Sequence, residues 1–256
     1  MNSMIKTAWQ YHWCRLLIDN YVYVLGFLII SLLFNLFNSK LVINFNFFSA
    51  HQAIITVLFV SWVQIILLTE NNTTFFLQVG ISRRHNWSVQ WLSLILNTLL
   101  IILTITSYLC LTTQGQSTIS SFGHSFQDYQ MAFAHDWQFK VFLLVLFINF
   151  VLISFLFAFI IGLLMTRING FIVFIIVYGG TLGLFSFIAG SIGLLYHFSN
   201  ATTQRQIVTG LLRLIGYSDT TMHIWPLLLT LLVVIAILSG ITYLLMQNIQ
   251  SKIKNR

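Results

Sequence analysis

Charge is what this sequence has least of: only 7% of its 256 residues are Asp, Glu, Lys or Arg, against about 25% in soluble globular domains. That shortage argues against a water-soluble fold. Cysteine is nearly absent too, and Cys14 and Cys110 fall at opposite ends of the layout derived below, so no disulfide framework is expected. No glycine-rich loop carrying a lysine is present to cradle nucleotide phosphates, so the chain is not expected to hydrolyse ATP itself. The histidines at 12, 51, 85, 124, 135, 197 and 223 are dispersed, and none pairs at the i, i+4 spacing of a metalloprotease helix. No metal site is expected, and His124, His135, Asp128 and Asp136 read as a solvated loop. A Gly190-Ser191-Ile192-Gly193 run before His197 resembles a protease nucleophile only superficially, because small residues on a helix serve packing.

What is there is hydrophobic. Residues of the apolar class make up 58% of the chain, and a run of about 18 such residues spans the roughly 30 Å of bilayer hydrocarbon. The runs predict an all-α, polytopic membrane protein with six transmembrane helices near residues 21–37, 50–68, 87–111, 142–165, 171–196 and 224–246, forming a single transmembrane domain over 1–256. Residues 1–19 mix Lys6 and Arg15 with Trp9, Tyr11, Trp13, Leu16 and Leu17, which lacks the apolar core of a signal peptide and suits an interfacial helix. Asp19, Glu70, Asp136 and Lys140 lie near span ends, where they reach water. No charge sits deep inside a span, so a proton- or sodium-coupled pump has little to work with.

The basic residues give the expected orientation. An N-in, C-in layout places Lys6, Arg15, Arg83, Arg84, Arg167, Lys252, Lys254 and Arg256 inside, and Lys40, Lys140, Arg205 and Arg213 outside, following the positive-inside rule. Their scatter at span ends, with no basic face, leaves nucleic acid without a binding surface.

Three further features follow from spacing. Thr166 to Gly170 is so short a connection that spans four and five must form a tight hairpin. From Gln204 to Gly216, apolar Ile207, Val208, Leu211, Leu212, Leu214 and Ile215 oppose polar Arg205, Gln206, Thr209 and Arg213, which predicts an amphipathic surface helix facing either lipid or the protein's own spans. Gly179, Gly183, Ser186, Gly190 and Gly193 draw a stripe of small residues along the fifth span that admits a close helix partner, within the chain or in a second subunit.

The segment after the second span reads Thr69, Glu70, Asn71, Asn72, Thr73, Thr74, Phe75, Phe76, Leu77, Gln78, Val79, Gly80, Ile81, Ser82, Arg83, Arg84. Its apolar residues are expected to form the exposed knob of a short helix that Gly80 ends, with Arg83 and Arg84 anchoring the next span. The segment resembles the inner loop of ABC-2-type permeases, the membrane subunits of ATP-binding-cassette exporters, in which an acidic residue, a Thr, an apolar turn and a Gly-x-Ser-Arg run precede the third span. The six-span layout, the interfacial N-terminal helix and the chain length extend the resemblance over nearly the whole chain.

The resemblance implies that residues 70–86 are a cytoplasmic coupling loop seated on a separate ATPase subunit, with Glu70, Thr74, Phe76, Leu77, Gly80, Ser82 and Arg83 as its site residues. It implies ATP and Mg bound by that ATPase rather than by this chain, and a second permease chain, identical or related, packed along the small-residue stripe. The expected function is transport of an amphipathic cargo, such as an antimicrobial peptide or a lipid-like molecule, across a bacterial plasma membrane. The Asn and Phe richness with a single Pro fits an A+T-rich bacterial genome. The alternative is a non-transporting immunity or sensor protein, for which outer residues such as Arg205, Arg213 and Asp219 would matter and Phe76 and Leu77 would not. A vitamin-importer subunit, which meets its partner through small residues on a span, leaves the Glu70 to Arg84 pattern unused.

Overall fold

The computed structural model describes residues 50–111, 126–168, 201–218 and 221–249, with isolated positions elsewhere. The described residues form helix α1 (Ala50–Gln78), α2 (Arg83–Leu111), a 3-10 turn (Gln127–Ala132), α3 (Asp136–Met165), α4 (Ala201–Leu214), a two-residue antiparallel pairing (Tyr217–Ser218 with Thr221–Met222) and α5 (Ile224–Gln247). Four of the helices, α1, α2, α3 and α5, are long and apolar enough to cross a membrane. They match the second, third, fourth and sixth expected spans. The first and fifth spans and the interfacial N-terminal helix lie outside the described residues.

The helices outrun the expected spans in three places, α2 beginning at Arg83 rather than Trp87. The helix of the second span continues past Leu68 to Gln78, so the expected loop over residues 70–86 shrinks to a four-residue turn between two helices. The fourth span begins at Asp136 rather than Phe142. There Gln138 accepts a hydrogen bond from the His135 backbone N–H at 3.3 Å, closing the first turn of α3 before its apolar run begins. Pro226 falls in the first turn of α5, where a missing N–H costs no intrahelical bond.

Side-chain contacts fix the helix directions. Trp62 of α1 donates to the Ser154 carbonyl of α3 at 3.1 Å, and Gly162 of α3 lies against Ile66 and Thr69 of α1, so α1 and α3 run parallel. A Cβ at Gly162 would stand 2.7 Å from the Thr69 Cβ and 2.8 Å from the Ile66 carbonyl oxygen, which makes glycine a requirement of that crossing. α2 runs back from the turn, and α5 runs toward it. The 78–83 turn and the C-termini of α3 and α5 thus share one end of the bundle, called here the turn end.

α3 is central, packed on α1, α2 and α5. Val57, Ile65, Ile101, Ile105, Phe155, Leu156, Phe159 and Met246 fill the space between the four helices. The outward faces are apolar as well: Leu229, Leu232, Val233, Ile237, Ile241 and Leu244 of α5 are exposed. Water does not tolerate so continuous an apolar surface, whereas lipid does.

The end opposite the turn, the far end, is closed by aromatic packing. Tyr129 of the 3-10 turn contacts Phe126 and Phe142, and Phe133 contacts Phe139 and Phe142, with Leu231 of α5 beneath. The Tyr129 hydroxyl donates to the Ile215 carbonyl just past α4. Gly216 then turns the chain with φ +92°, close against the His223 carbonyl, and its own carbonyl accepts from the His223 N–H at 2.7 Å. A side chain at 216 would collide with that carbonyl.

α3 ends at the turn end and α4, the next described helix, lies at the far end; residues 169–200 stand between them in sequence. The expected fifth span, and with it the hairpin from Thr166 to Gly170, falls largely in that interval, beyond the described residues. Of the small-residue stripe only Ser186 is described, as helical and exposed.

Candidate functional site

The junction of α1 and α2 is a stop signal followed at once by a start signal. Gly80 adopts φ +86°, a left-handed conformation that glycine enters without a Cβ penalty. Its N–H donates to the Leu77 carbonyl at 3.2 Å, and the Ile81 N–H donates to the Phe76 carbonyl at 2.9 Å. Those two bonds, with Phe76 and Ile81 sharing one buried cluster with Val89, form a Schellman cap that satisfies the last carbonyls of α1. Ser82 then caps α2: its Oγ lies 3.4 Å from the His85 N–H and 2.6 Å from the His85 Nδ1. Gly80, Ile81 and Ser82 are therefore accounted for by the local stereochemistry of a helix stop and a helix start.

Each expected site residue has a definite place. Phe76 is buried, 1% exposed, so it is not the exposed knob expected of it; its ring closes the cap from inside. Leu77 is half-buried against the main core. Glu70 is half-buried on α1, and Thr74 turns its hydroxyl back on the helix, toward the carbonyls of Glu70 and Asn71 at 3.2 and 2.8 Å. The side chains that do project are Phe75, at 45% exposed, and Val79, with Arg84 and His85 exposed beside them. The surface of the turn is thus a small apolar tip edged by basic and imidazole groups. Of the four apolar residues expected to form the exposed knob, Phe75 and Val79 project and Phe76 and Leu77 turn inward, a division set by a helical phase that the run of apolar residues alone does not fix.

Arg83 faces inward rather than toward a partner. Its guanidinium donates to the Gln247 carbonyl at 2.7 Å, satisfying one of the orphan carbonyls at the end of α5 and placing positive charge at that helix's negative pole. Further along the same seam Trp87 donates to the Thr242 hydroxyl at 3.1 Å and meets Tyr243 edge-on at 5.3 Å. Asn86 approaches the Met246 sulfur at 3.8 Å. The first turn and a half of α2 is therefore fastened to the last turn and a half of α5.

A second seam joins α2 to α1 and escaped the sequence reading altogether. Asn86, Gln90, Ser93 and Asn97 recur at helical spacing on one face of α2 and are all buried, as are Ser61, Thr69, Asn72 and Thr73 on α1. Gln90 bridges the helices: its amide nitrogen donates to the Thr73 hydroxyl at 2.9 Å and to the Asn86 side-chain oxygen at 2.7 Å. The Gln90 Oε1 and the Ser93 Oγ meet no hydrogen-bond partner among the described residues. A search for charges inside spans passes over such residues, although uncharged amides and hydroxyls at i, i+4, i+7 and i+11 are the signal to seek.

At the far end, burial and, secondly, the Asp128 carboxylate push the Tyr129 phenol above its ordinary value. Gln130 reaches Asp136 at 3.2 Å. Among the described residues no group of three His, Cys, Asp or Glu side chains converges as metal ligands would.

The architecture is that of an all-helical membrane protein with four helices able to span the bilayer among the described residues. No family model, curated protein or solved structure matches the chain.

Proposed function

We propose that the chain is the membrane permease subunit of an ATP-binding-cassette exporter, with the 78–83 turn on the cytoplasmic side as the point at which a separate ATPase subunit acts. The supporting observation is mechanical. A short, doubly capped turn with an apolar tip is tied through Arg83, Asn86 and Trp87 to the end of α5 and through Gln90 to α1, so a displacement of the tip is carried into three helices at once. ATP and Mg bind the partner, whose closure favours one arrangement of the spans over another, as a ligand shifts any two-state equilibrium. The contact residues in this reading are Phe75, Val79 and Arg84, with Phe76, Gly80, Ser82 and Arg83 holding them in place. An aromatic-rich set of spans with charges only near their ends suits an amphipathic or lipid-like cargo such as an antimicrobial peptide, moved across a bacterial plasma membrane by a pair of permease chains.

Co-purification of the tagged chain in mild detergent tests this. The wild type is expected to retain an ATPase subunit that Phe75→Asp with Val79→Asp loses, both proteins eluting as folded species. Phe76→Asp is expected to misfold and serves as the contrast. If folded wild type brings no ATPase, the reading fails and a non-transporting immunity or sensor protein becomes the better account.

A further inference from the structure

We propose that α4 lies in the plane of the membrane at the far end, with Val208, Leu211, Leu214 and Ile215 set against the acyl chains of that leaflet and Arg213 among its phosphates. The four apolar side chains are 43–55% exposed; Val208 and Leu211 share one face of α4, Leu214 ends it and Ile215 lies in the turn just past it. Gln206, Gly210 and Arg213 are exposed on the other side. A helix so divided, short and low in overall hydrophobicity, is suited to the boundary between headgroups and hydrocarbon.

Its depth is set by the rest of the fold. The Thr230 hydroxyl lies 3.2 Å from the Leu214 carbonyl and 2.8 Å from that of Pro226, sharing one proton between them. Thr230 comes six residues after the start of α5, which at 1.5 Å per residue is about 9 Å along the helix. An interfacial helix rests about 5–10 Å into the boundary region. Two indoles mark the headgroup level at this end: Trp225 in the first turn of α5, 73% exposed, and Trp137 in the first turn of α3, also exposed. The end of α4 is thus held below the tryptophan belt.

The neighbouring surface identifies the occupant. Leu229 and Val233, on either side of Thr230 in sequence, are exposed and continue the apolar exterior of α5 up to α4. Four half-exposed side chains fall well short of the roughly 800 Å² that a stable protein partner buries on each side. Lipid, which already covers α5, needs no such area.

Site-directed spin labelling of the full chain in phosphatidylcholine–phosphatidylglycerol vesicles tests the proposal, on a background with Cys14→Ser and Cys110→Ser. At Leu211→Cys, molecular oxygen is expected to relax the label more than the water-soluble nickel reagent, as at the α5 reference Leu229→Cys. At Gln206→Cys the order is expected to reverse. Nickel dominance at Leu211→Cys would overturn the proposal by showing water on that face. Protection from both reagents would overturn it by showing protein, and dipolar broadening would then identify a second copy. Val208→Cys replaces Leu211→Cys if the latter does not elute as a folded species.

Discussion

Arg83, the first residue of α2, holds the carbonyl of Gln247, the last residue of α5, at 2.7 Å across a sequence separation of 164. The macrodipole of α2 disfavours a cation at its own N-terminus, so the charge is retained there for the helix it reaches rather than the helix it belongs to. Arg83→Ala is expected to cost about 1.5–3 kcal/mol, the range for a hydrogen bond to a charged group. Arg84→Ala, on an exposed neighbour, is expected to stay within about 0.5 kcal/mol. Thermal unfolding of both variants in one detergent checks the contrast; equal effects would mean that charge near the membrane surface, not the bond to α5, matters.

Gly162 lets α3 lie directly against the Ile66 carbonyl and Thr69 of α1. Gly162→Ala is expected to force the helices apart and destabilise the protein by about 1–3 kcal/mol, as overpacking of a filled contact does. Thr69→Ala is not expected to rescue it, because the Thr69 Cβ and the Ile66 carbonyl that a new methyl would meet remain. Melting curves of the two single variants and the double variant decide the matter, and full rescue would contradict the close approach.

Gln90 joins Thr73 to Asn86 inside the bundle. Removing the bridge with Gln90→Leu is expected to cost about 0.6–2 kcal/mol, the span measured for hydrogen bonds between membrane helices. Adding Thr73→Val, which removes the hydroxyl left without its donor, is expected to return part of that loss. A double-mutant cycle read by unfolding in detergent measures the coupling; strict additivity would mean the pair does not interact.

Tyr129 gives the protein an alkaline limit. Its folded-state phenol titrates above the ordinary value of 10.0 because burial, and then Asp128, oppose ionisation. The folded state therefore binds the proton more tightly than the unfolded chain. The associated stability is fully present below pH 10 and is lost as pH rises through the folded value. Tyr129→Phe is expected to lose about 0.5–1.5 kcal/mol at neutral pH with the hydrogen bond to Ile215, and to show a shallower decline above pH 10. Melting temperature against pH for the two proteins tests the sign.

Much of the fold is legible in the chain because lipid and water sort residues coarsely. The apolar runs located α2 and α5 to within a few residues, Gly80 was readable as a helix stop, and the alternation around Val208 and Leu211 marked α4. The errors share one cause. The polar run from Glu70 to Thr74 reads as a loop, yet polarity there marks where the helix leaves hydrocarbon, not where it ends: Thr74 satisfies its hydroxyl on the helix backbone, Asn72 is buried and Thr73 bonds α2. Extending α1 by ten residues changes the phase of everything after it and turns Phe76 inward. The buried stripe on α2 was missed for a related reason, since a neutral amide leaves little trace in a hydropathy profile although its burial constrains which helix lies opposite.

The helix directions sort the chain into two compartments. The directions of α1, α2, α3 and α5 bring the Gly80 turn and the C-terminus of α5 to one end of the bundle, and the 3-10 turn and the start of α5 to the other. A tag after Asn248 is expected to share a compartment with the Gly80 turn, and the 3-10 turn and the hairpin after α4 are expected to face the other. A phosphatase and a fluorescent reporter fused at those places should give opposite signals at the two ends and matching signals for the turn and the C-terminus. The two ends of the bundle are thus expected to answer to reagents on opposite sides of the membrane, each without disturbing the other.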